Sequence, residues 1–138
     1  MADTMQFDLV SPERRLASVQ AREVRIPGSA GDLTAMPGHA PLITTLRPGV
    51  LRIIKADGGT DDYAVTGGFA EVSAEGTTLL AEEALHVSEV TPDVVKRFVA
   101  RAEEELKAAK EAGHHDLVDD AAKLLADMVA MGDHIGIS

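Results

Sequence analysis

The hydrophobic positions of this chain follow two different periods, and the change falls near residue 88. In Met5-Gln6-Phe7-Asp8-Leu9 apolar and polar residues alternate, the period of a half-buried strand. Val24-Arg25-Ile26 repeats the pattern ahead of a predicted Pro27-Gly28 turn. Leu51-Arg52-Ile53 and Tyr63-Ala64-Val65 flank Asp57-Gly58-Gly59, which predicts a hairpin. Gly67-Gly68 introduces Phe69-Ala70-Glu71-Val72, and Glu75-Gly76 predicts a tight turn before Thr78-Leu79-Leu80-Ala81. Short strands with turns so close together predict an antiparallel sandwich or barrel.

The second period is helical. Thr91-Pro92-Asp93 offers an N-cap, a proline for the first helical position and an acid in the first turn. Val95, Phe98, Val99, Ala102, Leu106 and Ala109 then fall on one helical face, and Gly113 suits a left-handed stop. Leu117, Val118, Ala121, Leu124, Leu125 and Met128 form a second stripe, so the short connection predicts an antiparallel helical hairpin. The tail from Gly132 is expected to fray. The chain therefore reads as α+β: a β-domain over residues 1–88 and a helical hairpin over residues 89–138.

Composition narrows the function. The 138 residues suit one domain, or one of about 90 residues with an appendage. With only Phe7, Phe69, Phe98 and Tyr63 as aromatics, the core must be aliphatic. A formal charge of −10 argues against nucleic acid as a partner and against an anionic lipid surface. No cysteine is present, so disulfides and thiolate metal sites are excluded. No apolar run reaches the roughly 20 residues of a bilayer span, so direct membrane insertion is not expected. The opening MADTMQFDLV lacks the features of a signal peptide, and a cytoplasmic location is expected.

Candidate chemistry is sparse. The serines lie in no nucleophile elbow, and Gly28-Ser29-Ala30-Gly31 lacks the Lys-Ser/Thr pair of a phosphate loop. His114-His115-Asp116 has no further ligands at fitted spacing, so a solvated helix connection is the better reading than a metal site. Asp61-Asp62 and Glu82-Glu83 read as solvated charges, because strand neighbours face opposite ways. Glu103-Glu104-Glu105 reads as an exposed helix face. The run from Gly28 to Leu51 stands out, with four glycines, three prolines and one histidine. It encodes a specified surface loop, and such loops commonly carry binding. His39 within it suits a partner contact as well as a structural hydrogen bond.

Five ordered segments carry a family resemblance. They are Gly31-Asp32-Leu33 with Pro37-Gly38-His39-Ala40-Pro41-Leu42, then Gly49-Val50-Leu51-Arg52-Ile53, Gly67-Gly68-Phe69-Ala70-Glu71-Val72 and Leu79-Leu80-Ala81-Glu82-Glu83-Ala84. Together they resemble the epsilon subunit of F-type ATP synthases. The resemblance implies a β-sandwich of about ten strands followed by a two-helix hairpin. It implies a non-catalytic part of the central rotor, linking the gamma subunit to the ring of c subunits and coupling proton-driven rotation to ATP synthesis. The implied position is peripheral, on the cytoplasmic face of a bacterial inner membrane. By motif position, Gly31, Asp32 and Leu33 would meet the c ring, and Gly38, His39, Ala40 and Pro41 would meet gamma. Alpha and beta subunits would be reached through the hairpin.

Two departures from the family pattern shape the expectation. Some members bind ATP through an Asp and an Arg at the opening of the first helix, where this chain has Thr91 and Val94. A triphosphate would lose its cationic donor there, so no cofactor is expected. Pro92–Ala112 carries five basic and five acidic residues, whereas beyond Gly113 Lys123 stands against Asp116, Asp119, Asp120, Asp127 and Asp133. A hairpin whose second helix is this acidic should be repelled by an acidic segment of the catalytic subunits, and weak inhibition of ATP hydrolysis is expected. The alternative is a free-standing sandwich that binds a small ligand or peptide.

Overall fold

In the computed structural model, which describes residues 3–136, the period-two region folds into nine strands. They are β1 (Met5–Val10), β2 (Arg15–Gly28), β3 (Gly31–Ala35), β4 (Leu42–Leu46), β5 (Gly49–Lys55), β6 (Thr60–Val65), β7 (Gly68–Val72), β8 (Gly76–Ala81) and β9 (Ala84–His86). A 3-10 turn at Val87–Glu89 leads to α1 (Pro92–Ala112) and α2 (His115–Ile135). The chain divides into two compact units between Val87 and Ser88.

The sandwich is organised around β2. One layer runs β1-β8-β7-β4, and the other runs β3-β2-β5-β6-β9. The first half of β2 pairs with β1, from Arg15 to Ala21, and its second half pairs with β3 and β5. The pairing with β5 slips between Ala21 and Glu23, a bulge that bends the strand from one layer into the other. At its far end Gly28 pairs with Leu46 of β4, so β2 borders the first layer on both edges. Phe7, Leu9, Val24, Leu51, Val65, Ala70 and Leu79 have no exposed surface, and they come from both layers. The parallel β1–β8 pairing, with Phe7 opposite Thr77 and Leu9 opposite Leu79, joins the start of the domain to its end.

Two expectations about turns are met, and one is corrected. The β5–β6 hairpin closes at Asp57-Gly58, where the Asp57 carboxylate accepts from the Gly59 amide at 2.8 Å and Gly58 has φ of 89°. Gly76 follows the turn at Ser73 as read from the sequence. Pro27-Gly28, however, is not a turn. Both residues lie in β2, opposite Asp32 and Gly31, and the chain reverses at Ser29-Ala30. Proline is tolerated there because it sits at the end of the ladder, and its carbonyl still accepts the Arg47 amide at 3.0 Å.

The hairpin unit obeys local rules at its start and its middle. The Thr91 hydroxyl accepts from the Val94 amide at 3.3 Å, Pro92 opens α1, and Gly113 stops it at φ of 72°. Val95, Phe98, Ala102 and Ala109 are buried along α1, while Ala121, Met128, Met131 and Gly132 are buried along α2. The predicted stripe is shifted toward the C-terminus, since Leu117 is exposed in the first turn of α2. The tail also departs from expectation. Helix α2 continues through Gly132 to Ile135, because burial at Met131 and Gly132 overrides the weak helix propensity of glycine. Residues 137 and 138 of that tail lie outside the described residues.

Candidate partner-binding tip and sheet face

The specified loop builds one end of the sandwich from the backbone upward. Gly28 and Gly31 face each other across the β2–β3 turn, and a side chain on Gly28 would come within 2.6 Å of the Gly31 carbonyl oxygen. Gly31 adopts φ of 138°, a conformation that side chains disfavour. The corner between β4 and β5 then grips this turn. The Ser29 amide donates to the Thr45 carbonyl at 2.9 Å, and the Arg47 Nη1 donates to the Gly28 carbonyl at 2.7 Å. The Arg47 Nη2 donates to Asp32 Oδ1, closing an ion pair. Asp32 nevertheless keeps 77% of its side chain exposed, whereas Leu33 turns inward against the core. Arg47 was not singled out by sequence reasoning, and only its place in Leu46-Arg47-Pro48-Gly49 hints at it.

The Gly38–Pro41 segment lies elsewhere. It follows β3 at the end opposite Asp32, so the five-residue strand separates the two groups of candidate residues. Gly38 turns at φ of 84° and its amide donates to the Ala74 carbonyl at 3.0 Å, tying the loop to the β7–β8 turn. The His39 amide donates to the Met36 carbonyl at 3.1 Å. The ring Nδ1 of His39 lies 2.6 Å from the Ala40 carbonyl oxygen, which can only accept, so Nδ1 carries the hydrogen. Both alternatives read from the sequence thus have a physical basis: the ring has a structural hydrogen bond, and the segment is partly exposed.

An apolar surface escaped the sequence reading. Ile43, Phe69 and Leu80 expose 72%, 54% and 52% of their surface, and they stand on β4, β7 and β8. Thr45 pairs with Phe69, Phe69 with Leu80, and Leu80 with Val10, making one row across four neighbouring strands. Ile43 lies one row away, opposite Glu71. The signal was present in β7, where Phe69 alternates with Ala70 and both are apolar although they face opposite sides. A strand apolar on both faces is usually covered on both. Ile43, Phe69 and Leu80 remain exposed among the described residues, and exposed apolar patches of this kind mark interaction surfaces.

Asp61 and Asp62 are engaged, which corrects the reading of that pair as solvated charges. Asp62 forms a two-pronged bond with Arg52 at 2.9 and 3.0 Å, and this hydrogen bond, with the added charge attraction, raises the Arg52 pKa. Asp61, on the other side of β6, holds Lys55 at 3.4 Å and His86 at 3.3 Å. The His86 ring meets Tyr63 edge-on at 5.2 Å. These contacts fasten β9 to β6 and β6 to β5. They form no metal centre: among the described residues no group of three or more His, Asp or Glu is placed to hold an ion. In α1 the Thr91 hydroxyl serves as a helix cap, and Val94 offers no cation. No helix among the described residues is long and apolar enough to cross a membrane.

Comparison with known proteins finds sequence relatives along nearly the whole chain and a shared fold over most of it. Residues 4–87 match the family described as ATP synthase, Delta/Epsilon chain, beta-sandwich domain. An ATP synthase epsilon chain from Rhodobacter capsulatus is 60% identical over 137 residues, covering 99% of this chain and 100% of that one. The chain belongs to the ATP synthase epsilon chain family. A second epsilon chain, from Paracoccus denitrificans (strain Pd 1222), is 56% identical over 139 residues, covering 99% of this chain and 94% of the relative. The likeness to epsilon chains thus includes the helical hairpin as well as the sandwich. The fold is shared with a chain in the cryo-EM structure of the Euglena gracilis mitochondrial ATP synthase OSCP/F1/c-ring, at a TM-score of 0.69 and 16% identity. That alignment covers 92% of this chain and 78% of the other.

Proposed function

We propose that this epsilon chain is a non-catalytic coupling subunit of the central stalk, joining gamma to the ring of c subunits at the cytoplasmic face of the membrane. The full-length likeness to epsilon chains, hairpin included, carries this reading. In it, the β2–β3 tip with Gly31, Asp32 and Leu33 meets the polar loops of the ring. The Gly38–Pro41 segment and the apolar row of Phe69, Leu80 and Val10 meet gamma. Covering the exposed half of Phe69 and Leu80 at such an interface would contribute on the order of 1 kcal/mol for each side chain. The test is co-purification of the full chain with gamma and the ring from membranes, together with cross-linking from a cysteine at position 32. Stoichiometric gamma with ring adducts supports the assignment. A chain recovered alone, or adducts to other subunits only, refutes it.

The hairpin is proposed to be a weak inhibitor. Beyond Gly113 it carries one lysine against five aspartates, which disfavours approach to an acidic surface. Neither Thr91 nor Val94 supplies what a triphosphate would need, so ATP binding at the opening of α1 is not part of the reading. Removal of residues 89–138 should leave ATP hydrolysis by the assembled enzyme nearly unchanged. A strong rise in hydrolysis would refute weak inhibition while leaving the rotor assignment intact.

A further inference from the structure

Asp32 is exposed, yet it is not a bare charge. Arg47 reaches it with one arm of its guanidinium and reaches the Gly28 carbonyl with the other, at 2.7 Å. Only Oδ1 of the carboxylate is engaged, so among the described residues Oδ2 has no partner within the chain. Arg47 itself is 28% exposed and comes from the corner between β4 and β5, not from the hairpin it grips. The turn at Ser29-Ala30 is therefore braced from outside, by this arm and by the Ser29 amide on Thr45.

We propose that Arg47 is a positioning residue for the tip: it braces the turn and cancels the charge of Asp32, leaving Oδ2 as a hydrogen-bond acceptor. This rests on the assignment of Asp32 to the ring contact made above. Its consequence is a specificity. A lone carboxylate entering an interface must shed water and favours a cationic partner. A carboxylate already paired sheds less, and its remaining oxygen suits neutral donors such as side-chain amides, hydroxyls or backbone N–H groups. The tip therefore recognises a neutral, donor-bearing loop surface. The overall charge of −10 makes local cancellation useful, because it keeps the contact point from adding to the repulsion of acidic neighbours. The forked geometry matters too. A lysine ammonium supplies one compact charge and cannot hold two acceptors in the plane a guanidinium does.

The test uses Arg47→Gln, Arg47→Lys, Asp32→Asn and the Arg47→Gln/Asp32→Asn double variant in the full chain. Amide exchange at Gly28–Asp32 is read in the free chain, and affinity is read on ATP synthase from which this subunit has been removed. Arg47→Gln should speed exchange at the tip and weaken rebinding up to about fivefold, the range of a partly exposed ion pair. Arg47→Lys should recover affinity but not slow exchange, separating charge cancellation from bracing. Asp32→Asn should restore part of the affinity in the Arg47→Gln background, so the two changes are not additive. Unaltered exchange in Arg47→Gln, or strictly additive losses, overturns the proposal. If exchange responds but no variant, Asp32→Asn included, changes rebinding, the ring assignment of the tip is overturned instead.

Discussion

The two units of this chain are held together over very different sequence distances. In the sandwich, Gln6 pairs with Gly76, and the buried Thr77 hydroxyl lies 3.6 Å from the Met5 sulfur. In the hairpin, the contacts that define each end are local: Thr91 to Val94, and Gly113 to Lys110. The cores differ in kind as well. Phe7, Leu9, Ile26, Leu51, Ile53 and Leu79 fill the sandwich, whereas the helices bury Val95 and Phe98 near the start of α1 and, beyond them, Ala102, Ala109 and Ala121 with two methionines. Small side chains give close approach with little apolar area each, and methionine packs without dictating one geometry. The sandwich is thus a specified platform, and the hairpin is a looser pair built from caps and short contacts. On the assignment proposed above, the docking surfaces lie on the more tightly specified unit.

The largest effect that could break this comparison is expected at Phe7, which is fully buried. Phe7→Ala should cost about 3–5 kcal/mol, measured by denaturant unfolding with exchange read on the strand amides. A loss below about 1 kcal/mol would show that the sandwich core is no more tightly specified than the hairpin. Gly68→Ala comes next. A Cβ there would sit on the Leu80 carbonyl oxygen at φ of 130°, prying β7 from β8. The expected cost is about 2–3 kcal/mol, with the apolar row at Phe69 and Leu80 displaced and rebinding to the synthase weakened. Gly113→Ala should cost only about 1 kcal/mol, read as faster exchange confined to residues 110–118. Loss of all helical signal would instead make the hairpin as brittle as the platform.

The smallest effect is expected at Arg52→Gln. Its partner Asp62 raises the Arg52 pKa, so the bond's contribution is present below the ordinary arginine value and is lost only as pH rises past it. The pair is partly exposed, and screening limits the cost to about 1 kcal/mol or less. The deficit should stay level from neutral to mildly alkaline pH in thermal unfolding. A deficit that vanished over that range would assign the effect to another group.

Sequence pattern exposed those parts of the molecule where a local rule sufficed. The alternation of β1, the Asp57-Gly58 turn, the Thr91-Pro92 opening and the Gly113 stop each depend on residues within one element. Helix α2 shows the limit, because burial of Gly132 carries it past a residue that favours stopping. β2 was legible only over three of its 14 residues. Its alternation is interrupted where the strand bulges and changes layers, so no single period runs through it. The candidate residues Asp32 and His39 were legible as motifs, but their placement at opposite ends of β3 was not. Arg47 was invisible for the same reason as the apolar row: its meaning arises from Gly28 and Asp32, 19 and 15 residues earlier.

The long strand β2 has a mechanical consequence. Its 14 residues run unbroken from the Arg15 end of the sandwich to the Ser29-Ala30 turn, roughly 45 Å at the usual rise of an extended chain. A pull applied at that turn is borne along covalent bonds and shared sideways into β1 and β5 by ladders loaded in shear. Ladders loaded this way must break many hydrogen bonds together, whereas a terminal hairpin peels one bond at a time. Torque arriving at the tip would therefore spread through both layers before any single strand could detach.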